Sequence, residues 1–432
     1  MSINFDIAII GAGAAGLAAG IFAAETREEC TIVLLDGAPT IGSKILVSGG
    51  GRCNVTNAIV GPSDFHAPGR LVSRILRRFD EQATVQWFDS LGVDLKQEST
   101  GKLFPTTNKA RTVLNALLGR CKELGIHISN NHRVQSITHT SGRFLIQFKD
   151  SQMTARQVIM ATGGQSLPKS GSDGQGWSMA KSLGHSVTST YPVLVPLVLA
   201  NTFIHGGLSG ISHEAAITTR VNRKIVDRRV GSLLWTHFGI SGPVVLDASR
   251  FWVIANGREE EVTVSISFFP DKTMEDVDLW LAQASRQTGR KTVGSLLAQQ
   301  LPTRLTEALC DLVNQEGQKS PPKKVREPVP KKLATTPLNQ LPQSKRKSLT
   351  HILTDLSLPV IGHRGWNFAE VTAGGVPLDE INPQSMMSRK VPGLYLIGEM
   401  LDYDGRIGGF NFQWAWSTGF IAGRSASMKK GK

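Results

Sequence analysis

The residues best equipped for chemistry lie in one run, Lys44-Ile45-Leu46-Val47-Ser48-Gly49-Gly50-Gly51-Arg52-Cys53-Asn54-Val55-Thr56-Asn57. Three consecutive glycines clear the backbone of side chains and free several N–H groups to converge on an anion. Ser48, Arg52 and Asn54 flank them, and the set suits a pyrophosphate. A second anion motif stands earlier, at Gly11-Ala12-Gly13-Ala14-Ala15-Gly16. There Gly11 allows a tight turn, Gly13 lets a phosphate approach the main chain, and Gly16 lets the following helix pack on its strand. Asp36, 25 positions after Gly11, is placed to accept hydrogen bonds from a ribose diol.

The elements that must position these groups follow from the apolar pattern. Phe5–Ile10 reads as a buried strand, about Ala14 to Ala24 as a helix, and Thr31–Leu35 as a second strand ending in Asp36. The helix N-terminus then directs free N–H groups and its positive dipole end at the pyrophosphate. A G-x-G-x-x-G alone is a weak signal, whereas one inside strand, turn, helix, strand and acid is specific. Further on, Ala110–Leu124 reads as an amphipathic helix, Lys102-Leu103-Phe104-Pro105 as a break in regular structure, and His132–Thr138 and Arg143–Lys149 as a small meander. Gln157–Ala161 then runs as a strand into Thr162-Gly163-Gly164, a second place where the chain passes close to a bound nucleotide.

A chain of 432 residues predicts two or three domains. Its longest apolar runs are short of a membrane span, and Met1-Ser2-Ile3-Asn4 leads directly into the first strand, so a cytoplasmic protein without membrane contact is expected. Cys30, Cys53, Cys121 and Cys310 form neither a C-x-x-C pair nor a zinc pattern, which predicts free thiols and no metal site. The redox-active cysteine pair of a disulfide reductase is not offered at short spacing. Gly239-Ile240-Ser241-Gly242 is one residue short of a G-x-S-x-G elbow, which excludes a hydrolase of that type.

The net charge is +13, and Lys319–Lys347 holds nine basic residues and one acid. Such a run suits either contact with a polyanion or a solvated basic linker. Arg70, Arg74, Arg77 and Arg78 alternate with Leu71, Val72, Ile75, Leu76 and Phe79 at helical spacing, so one face is apolar and the other basic. That face is either simply solvated or a phosphate contact.

The middle of the chain changes texture. Short β-rich runs separated by glycine turns predict an inserted, barrel-like β-domain over 191–270, and leucine periodicity predicts a helical subdomain over 271–314. Six prolines and the basic run mark 315–349 as a linker or arm. Nucleotide-fold texture returns in 350–432, where Glu370–Val376 and Gly393–Glu399 read as strands ending at glycine. Arg406-Ile407-Gly408-Gly409-Phe410 then opens a closing helix at about Asn411. If a flavin ring lies at that helix N-terminus, the partial positive charge eases its reduction.

Taken together, Lys44–Asn57, Ala161–Gly164, Thr236–Arg250, Thr372–Pro377 and Gly393–Gly423 resemble the BaiN/RdsA-like, or HI0933-like, family of FAD-dependent oxidoreductases. The resemblance covers nearly the whole chain, with the Pro/Lys-rich stretch its main departure. It implies an α/β fold with a Rossmann-like FAD domain made from both chain ends, 1–190 and 350–432, and noncovalent FAD. On this chain it implies that Gly11, Gly13, Ala14, Ala15 and Gly16 hold the pyrophosphate, that Asp36 with Gly37 takes the adenosine ribose, and that the Val134 backbone meets the adenine. Lys44 and the loop of Ser48, Gly49, Gly50, Gly51, Arg52, Cys53 and Asn54 would line the flavin, with Ala161, Thr162, Gly163 and Gly164 alongside. Gly398, Glu399, Asp402, Gly408, Gly409, Phe410 and Asn411 would approach the ribityl chain and ring.

Family members differ in substrate. The resemblance with the basic surface favours NAD(P)H-driven reduction of a uridine in large-subunit ribosomal RNA to dihydrouridine. A small-molecule ene-reductase or amine oxidase and a non-enzymatic flavin-binding ribosome factor are the alternatives. With a single G-x-G-x-x-G, nicotinamide is expected to visit the flavin only transiently. Cys53 is either the acid that protonates uracil C5, its pKa lowered by Arg52, or a packing residue of the loop.

Overall fold

The computed structural model describes residues 4–286, 291–316 and 332–428. They divide into two compact units, Met1–Pro192 with Trp366–Lys432, and Val193–Gly365.

The first unit opens with β1 (Asn4–Ile10), α1 (Ala14–Thr26), β2 (Ile32–Leu35), α2 (Ser43–Gly51) and β3 (Thr56–Asn57). It continues through α3 (Gly69–Leu76), α4 (Glu81–Ser90), β4 (Leu95–Gln97), β5 (Lys102–Pro105), α5 (Ala110–Glu123), β6 (His127–Ser129), β7 (Ser136–Thr140), β8 (Arg143–Gln147), β9 (Gln152–Met160), α6 (Gln175–Ser182) and β10 (Tyr191–Val193). β6, β2, β1 and β9 lie side by side and parallel. Ile7, Ala8, Ile9 and Ile10 are all buried, the continuous apolar run that a strand covered on both faces requires.

The Lys102–Pro105 segment, read from sequence as a break, is a strand lying between β3 and β4. Pro105 is the last residue of that strand. The meander read over His132–Thr138 begins later, at Ser136, and its hairpins pair β7 with β8 and β8 with β9 antiparallel.

The second unit carries β11 (Leu197–Leu199), β12 (Ser212–Val221), β13 (Lys224–Thr236), β14 (Gly239–Ser241), α7 (Pro243–Gly257), β15 (Val262–Ser267), α8 (Met274–Arg286), α9 (Val293–Leu297), α10 (Thr303–Glu316), α11 (Gln343–Asp355), β16 (Leu356–Leu358) and β17 (Val360–His363). Its seven-stranded sheet runs β16-β15-β12-β13-β14-β11-β17, with antiparallel neighbours throughout. The two outermost strands are joined by Pro359 alone. The sheet must therefore curl until its edges meet, which makes it barrel-like.

Two boundaries differ from the sequence reading. Residues 343–348, read as arm, form the start of α11, and residues 350–365, read as part of the nucleotide domain, complete the second unit. Helix α11 is docked by an Arg346–Asp278 ion pair at 3.0 Å, by Lys345 donating to the Val313 carbonyl at 2.8 Å, and by buried Leu349, Ile352 and Leu353. Residues 317–331, the rest of the basic stretch, lie outside the described residues.

The chain re-enters the first unit with β18 (Val371–Ala373), β19 (Leu394–Leu396) and α12 (Phe410–Ser427). β19 adds to β9 in parallel, with Leu394 opposite Val158. α12 packs on α1 so closely that a Cβ on Gly423 would lie 2.3 Å from the Ala19 carbonyl oxygen. Among the described residues, no helix is long and apolar enough to cross a membrane.

Candidate cofactor site

The three glycines of the first motif do three different things. Gly11 has φ +100°, and a Cβ there would lie 2.3 Å from the Ala161 oxygen. Only glycine relieves both the strain and the contact. A Cβ on Gly16 would lie 1.9 Å from the Gly11 oxygen, so this glycine lets α1 sit against its own turn. A Cβ on Gly13 would meet nothing within 4 Å. Gly13 caps α1 without a side-chain hydrogen bond, and Ala14 and Ala15 form the helix's first turn, whose leading N–H groups have no partner within the helix. Asp36 is held beside them: its carboxylate accepts from the Ala12 and Ala38 N–H groups, each at 2.8 Å.

The glycine run behaves differently from a plain loop. α2 is helical from Ser43 to Val47, and its trace is then interrupted at Ser48, Gly49 and Gly50. Gly49, Gly50 and Gly51 take φ of +55°, +69° and +83°. Left-handed backbone disfavours an L residue by roughly 1–2 kcal/mol each, so three in succession account for three glycines. A Cβ on Gly50 would also meet nothing within 4 Å.

The C-terminal segments close in from the other side. Lys44 pairs with Glu399, whose other oxygen accepts from the Thr372 N–H at 3.0 Å. A Cβ on Gly164 would lie 2.5 Å from Thr372 Oγ1 and 3.0 Å from Glu399 Oε1, and one on Gly398 3.0 Å from Ala15 Cβ. These approaches bring Lys44, Gly164, Gly398 and Glu399 together at the C-terminal ends of the parallel strands. Thr162 lies against Met400, its Oγ1 at 3.9 Å from the sulfur, and Gly163 has φ +74°. The Asp402 N–H donates to Val376.

The loop before α12 is pinned by side chains. Asn57 Nδ2 donates to the Gly408 carbonyl at 2.9 Å, and Asn411 both accepts from the Gly405 N–H and donates to its carbonyl, each at 2.9 Å. Gly409 caps α12 with φ +94°, and its missing Cβ would lie 2.6 Å from the Thr56 carbonyl and 2.9 Å from Asn54 Oδ1, with Phe410 starting the helix. That Asn54 oxygen is buried and has no hydrogen-bond partner. A buried acceptor left unpaired is unfavourable by about 1–3 kcal/mol, which marks a place where a ligand donor fits.

The open faces of Gly13 and Gly50, the ribose-type carboxylate of Asp36, the α1 and α12 N-termini and the unsatisfied Asn54 oxygen together fit FAD. They match its diphosphate, its ribose and its polar ring edge.

Two of the sequence-predicted residues sit in settings the motifs alone do not specify. Cys53 is fully buried in the hydrophobic core of the unit. Burial pushes its thiol up to about 12, against a hydrogen bond with Ser48 that pulls the other way. Arg52 does not lower that value: its guanidinium pairs with Glu98 at 2.6 Å and lies 4.0 Å over the Phe104 ring. The thiol thus stays protonated and packs the loop. Val134 is buried in irregular chain just before β7 rather than in a strand. Its neighbours reach the ribose end all the same, for the His132 N–H donates to the Asp36 carbonyl at 2.8 Å and Arg133 lies against Gly37.

Thr372 and Asn57 lie in segments that the sequence reading singled out, but it gave neither a role of its own in the site. Thr372 Oγ1 accepts from the N–H groups of Gln165 and Ser166, at 2.9 and 3.0 Å, and so ties the Thr-Gly-Gly turn to the C-terminal half. Its signal was the Thr-Ala-Gly-Gly run at 372–375, similar to the Thr-Gly-Gly at 162–164.

The family described as HI0933-like protein Rossmann domain matches residues 5–425. A 3-dehydro-bile acid delta(4,6)-reductase of Clostridium scindens is 31% identical over 427 residues, spanning 98% of this chain and 99% of its own length. Ribosomal RNA dihydrouridine synthases of Escherichia coli and Haemophilus influenzae are each 31% identical, spanning 99% of this chain and 99% and 100% of their own lengths. Among solved structures, a quinol-fumarate reductase with menaquinol molecules superposes with a TM-score of 0.51 at 15% identity, over 99% of this chain and 71% of that one, a likeness of fold. With its two ends folded into one nucleotide cradle and this match along its length, the chain belongs to the HI0933-like, or BaiN/RdsA-like, family of FAD-dependent oxidoreductases.

Proposed function

We propose that this chain reduces the C5=C6 bond of a uridine in large-subunit ribosomal RNA, with NAD(P)H as the reductant. The observation that carries the reading is full-length similarity to two proteins named ribosomal RNA dihydrouridine synthase. The third relative's name also denotes hydrogen addition across a carbon–carbon double bond, in a bile acid. Saturation of a C=C bond is therefore the shared chemistry, and a small-molecule ene-reductase is the second reading, favoured by that relative.

FAD, when bound, would supply the ring that accepts hydride from nicotinamide and passes it to one carbon of the double bond, the other carbon taking a proton that originates in solvent. The chain's own residues bind and orient. Gly13 and the first turn of α1 take the diphosphate, while Asp36, fixed by two backbone N–H groups, takes the ribose. The left-handed glycines give the ring side a backbone surface without side chains. The α12 N-terminus, fixed by Asn57 and Asn411, adds partial positive charge where the reduced ring carries negative charge. Cys53 keeps its proton on Sγ and holds the loop in place.

The test is mass spectrometry of ribosomal RNA from cells lacking the gene. Loss of one dihydrouridine from the large subunit, restored by the wild-type gene, supports the reading. Unchanged dihydrouridine refutes it and directs attention to conjugated small molecules.

A further inference from the structure

Helix α3 carries Arg70 and Arg74, Arg77 is its C-cap residue, and Arg78 follows in the turn just beyond. Successive 100° steps place Arg70, Arg74 and Arg77 on one face of the helix, with Arg78 following at its C-terminal end, and all four are exposed. The opposite face is fully used: Val72, Ile75 and Leu76 are buried in the core of the unit. Arg77 Nε donates to the Ser73 carbonyl at 3.2 Å, which leaves its terminal nitrogens directed outward. Among the described residues, no carboxylate pairs with any of the four. Elsewhere in the same unit surface arginines do find acids: Arg120 meets Glu25 at 2.9 Å, Arg156 meets Asp6 at 3.3 Å, and Arg406 meets Asp64 at 3.4 Å.

The position is equally informative. The segment leading into α3 lies along the loop that precedes α12, with Phe65 bridged to Gly405 and the His66 N–H donating to the Asp404 carbonyl at 2.8 Å. The arginine face therefore begins four residues beyond the edge of the proposed ring pocket. Four like charges on one short face repel one another, and an external anion removes that penalty.

We propose that this face holds the phosphate backbone of the RNA whose base is presented to the flavin. The proposal rests on the uridine-reduction reading above. Repeated anions at short spacing match four guanidinium groups on one face, each of which can grip a phosphate through two N–H groups. An anionic lipid surface fits less well, because α3 has no apolar side chain left to insert.

The test uses the FAD-loaded full chain and an unmodified large-subunit rRNA transcript, with affinity measured across a salt series. The variant Arg70→Ala/Arg74→Ala/Arg78→Ala is expected to lose about ten- to a hundredfold in affinity, with a salt slope shallower by about two to three. The corresponding lysine variant should keep most of the slope. Flavin content and NAD(P)H-driven flavin reduction should match wild type, which separates RNA contact from misfolding. If the alanine variant binds with wild-type affinity and slope while wild type forms dihydrouridine, the face is only solvated and the uridine reading stands. If wild type neither binds nor modifies the transcript, both fall together. If the same arginines are required instead for binding phosphatidylglycerol vesicles, the partner is a lipid surface and the RNA assignment is overturned.

Discussion

Gly13 and Gly16 are three residues apart, yet they fail differently when given a methyl group. Gly16→Ala drives a Cβ into the Gly11 carbonyl. Overpacking of this kind destabilises by roughly 1–3 kcal/mol, and a fixed backbone oxygen sets the upper end. Gly13→Ala meets open space, so the apoprotein should melt at the wild-type temperature while FAD affinity falls. Thermal melts and flavin titration of both variants check the pair, and equal FAD affinity of Gly13→Ala and wild type would remove Gly13 from the diphosphate site. For Cys53→Ala we expect a packing loss of about 1–2 kcal/mol, with an unchanged single-turnover rate of flavin reoxidation by substrate. These glycine roles were legible because backbone geometry is local to the motif. The setting of Cys53 was not: it follows the left-handed glycines at φ +62°, and whether its thiol turns to solvent or core depends on chain hundreds of residues away.

At the scale of elements, a buried polar stitch fixes the C-terminal return to the chain after α6. His185 donates from Nδ1 to Glu380 at 2.6 Å, and its Nε2 accepts from Ser388 Oγ at 2.8 Å. Burial lowers the His185 pKa below its usual 6.5 despite the carboxylate beside it. Burial alone would raise Glu380, but hydrogen bonds from Lys390, Ser186 and His185 bring it down to about 2. Both shifts act with the same sign. Below pH 6.5 the unfolded chain takes up a proton that buried His185 resists, and below pH 4.5 it takes up another that Glu380 resists. Stability should therefore fall on acidification, first from about pH 6.5 and again from about 4.5. Urea denaturation across pH 4–8 measures it, and a His185→Gln variant should flatten the upper part of that decline. A wild-type profile flat between pH 7 and 5 would contradict this role for His185.

Elements were legible where periodicity was local and long, as in β1, α1 and α5. They were not where tertiary contacts decide. α11 was hidden by the prolines and lysines at its start, because its helix depends on Asp278 and the Val313 carbonyl. β16 and β17 are short strands around one proline whose register the rest of the sheet sets.

For the whole molecule, the physical claim is that sequence-distant ends make one site. Lys44 and Glu399 are 355 positions apart and in contact, and α12 lies directly on α1. Removing 366–432 should thus abolish flavin binding although the G-x-G-x-x-G and Asp36 remain; size-exclusion chromatography with an absorbance spectrum checks it. The nucleotide fold could be read from the sequence, and so could the candidate residues of its cradle, since each rests on a motif with its own mechanical reason. The extent of the inserted unit could not, because its last strands come after the basic stretch.

The most direct test of the central claim is the flavin content of the purified full chain, compared with that of the variant Gly13→Glu. The account predicts a yellow wild-type protein that releases one FAD per chain on denaturation, and a variant of the same fold that is colourless. A folded wild-type protein that is colourless and takes up no added FAD would contradict it.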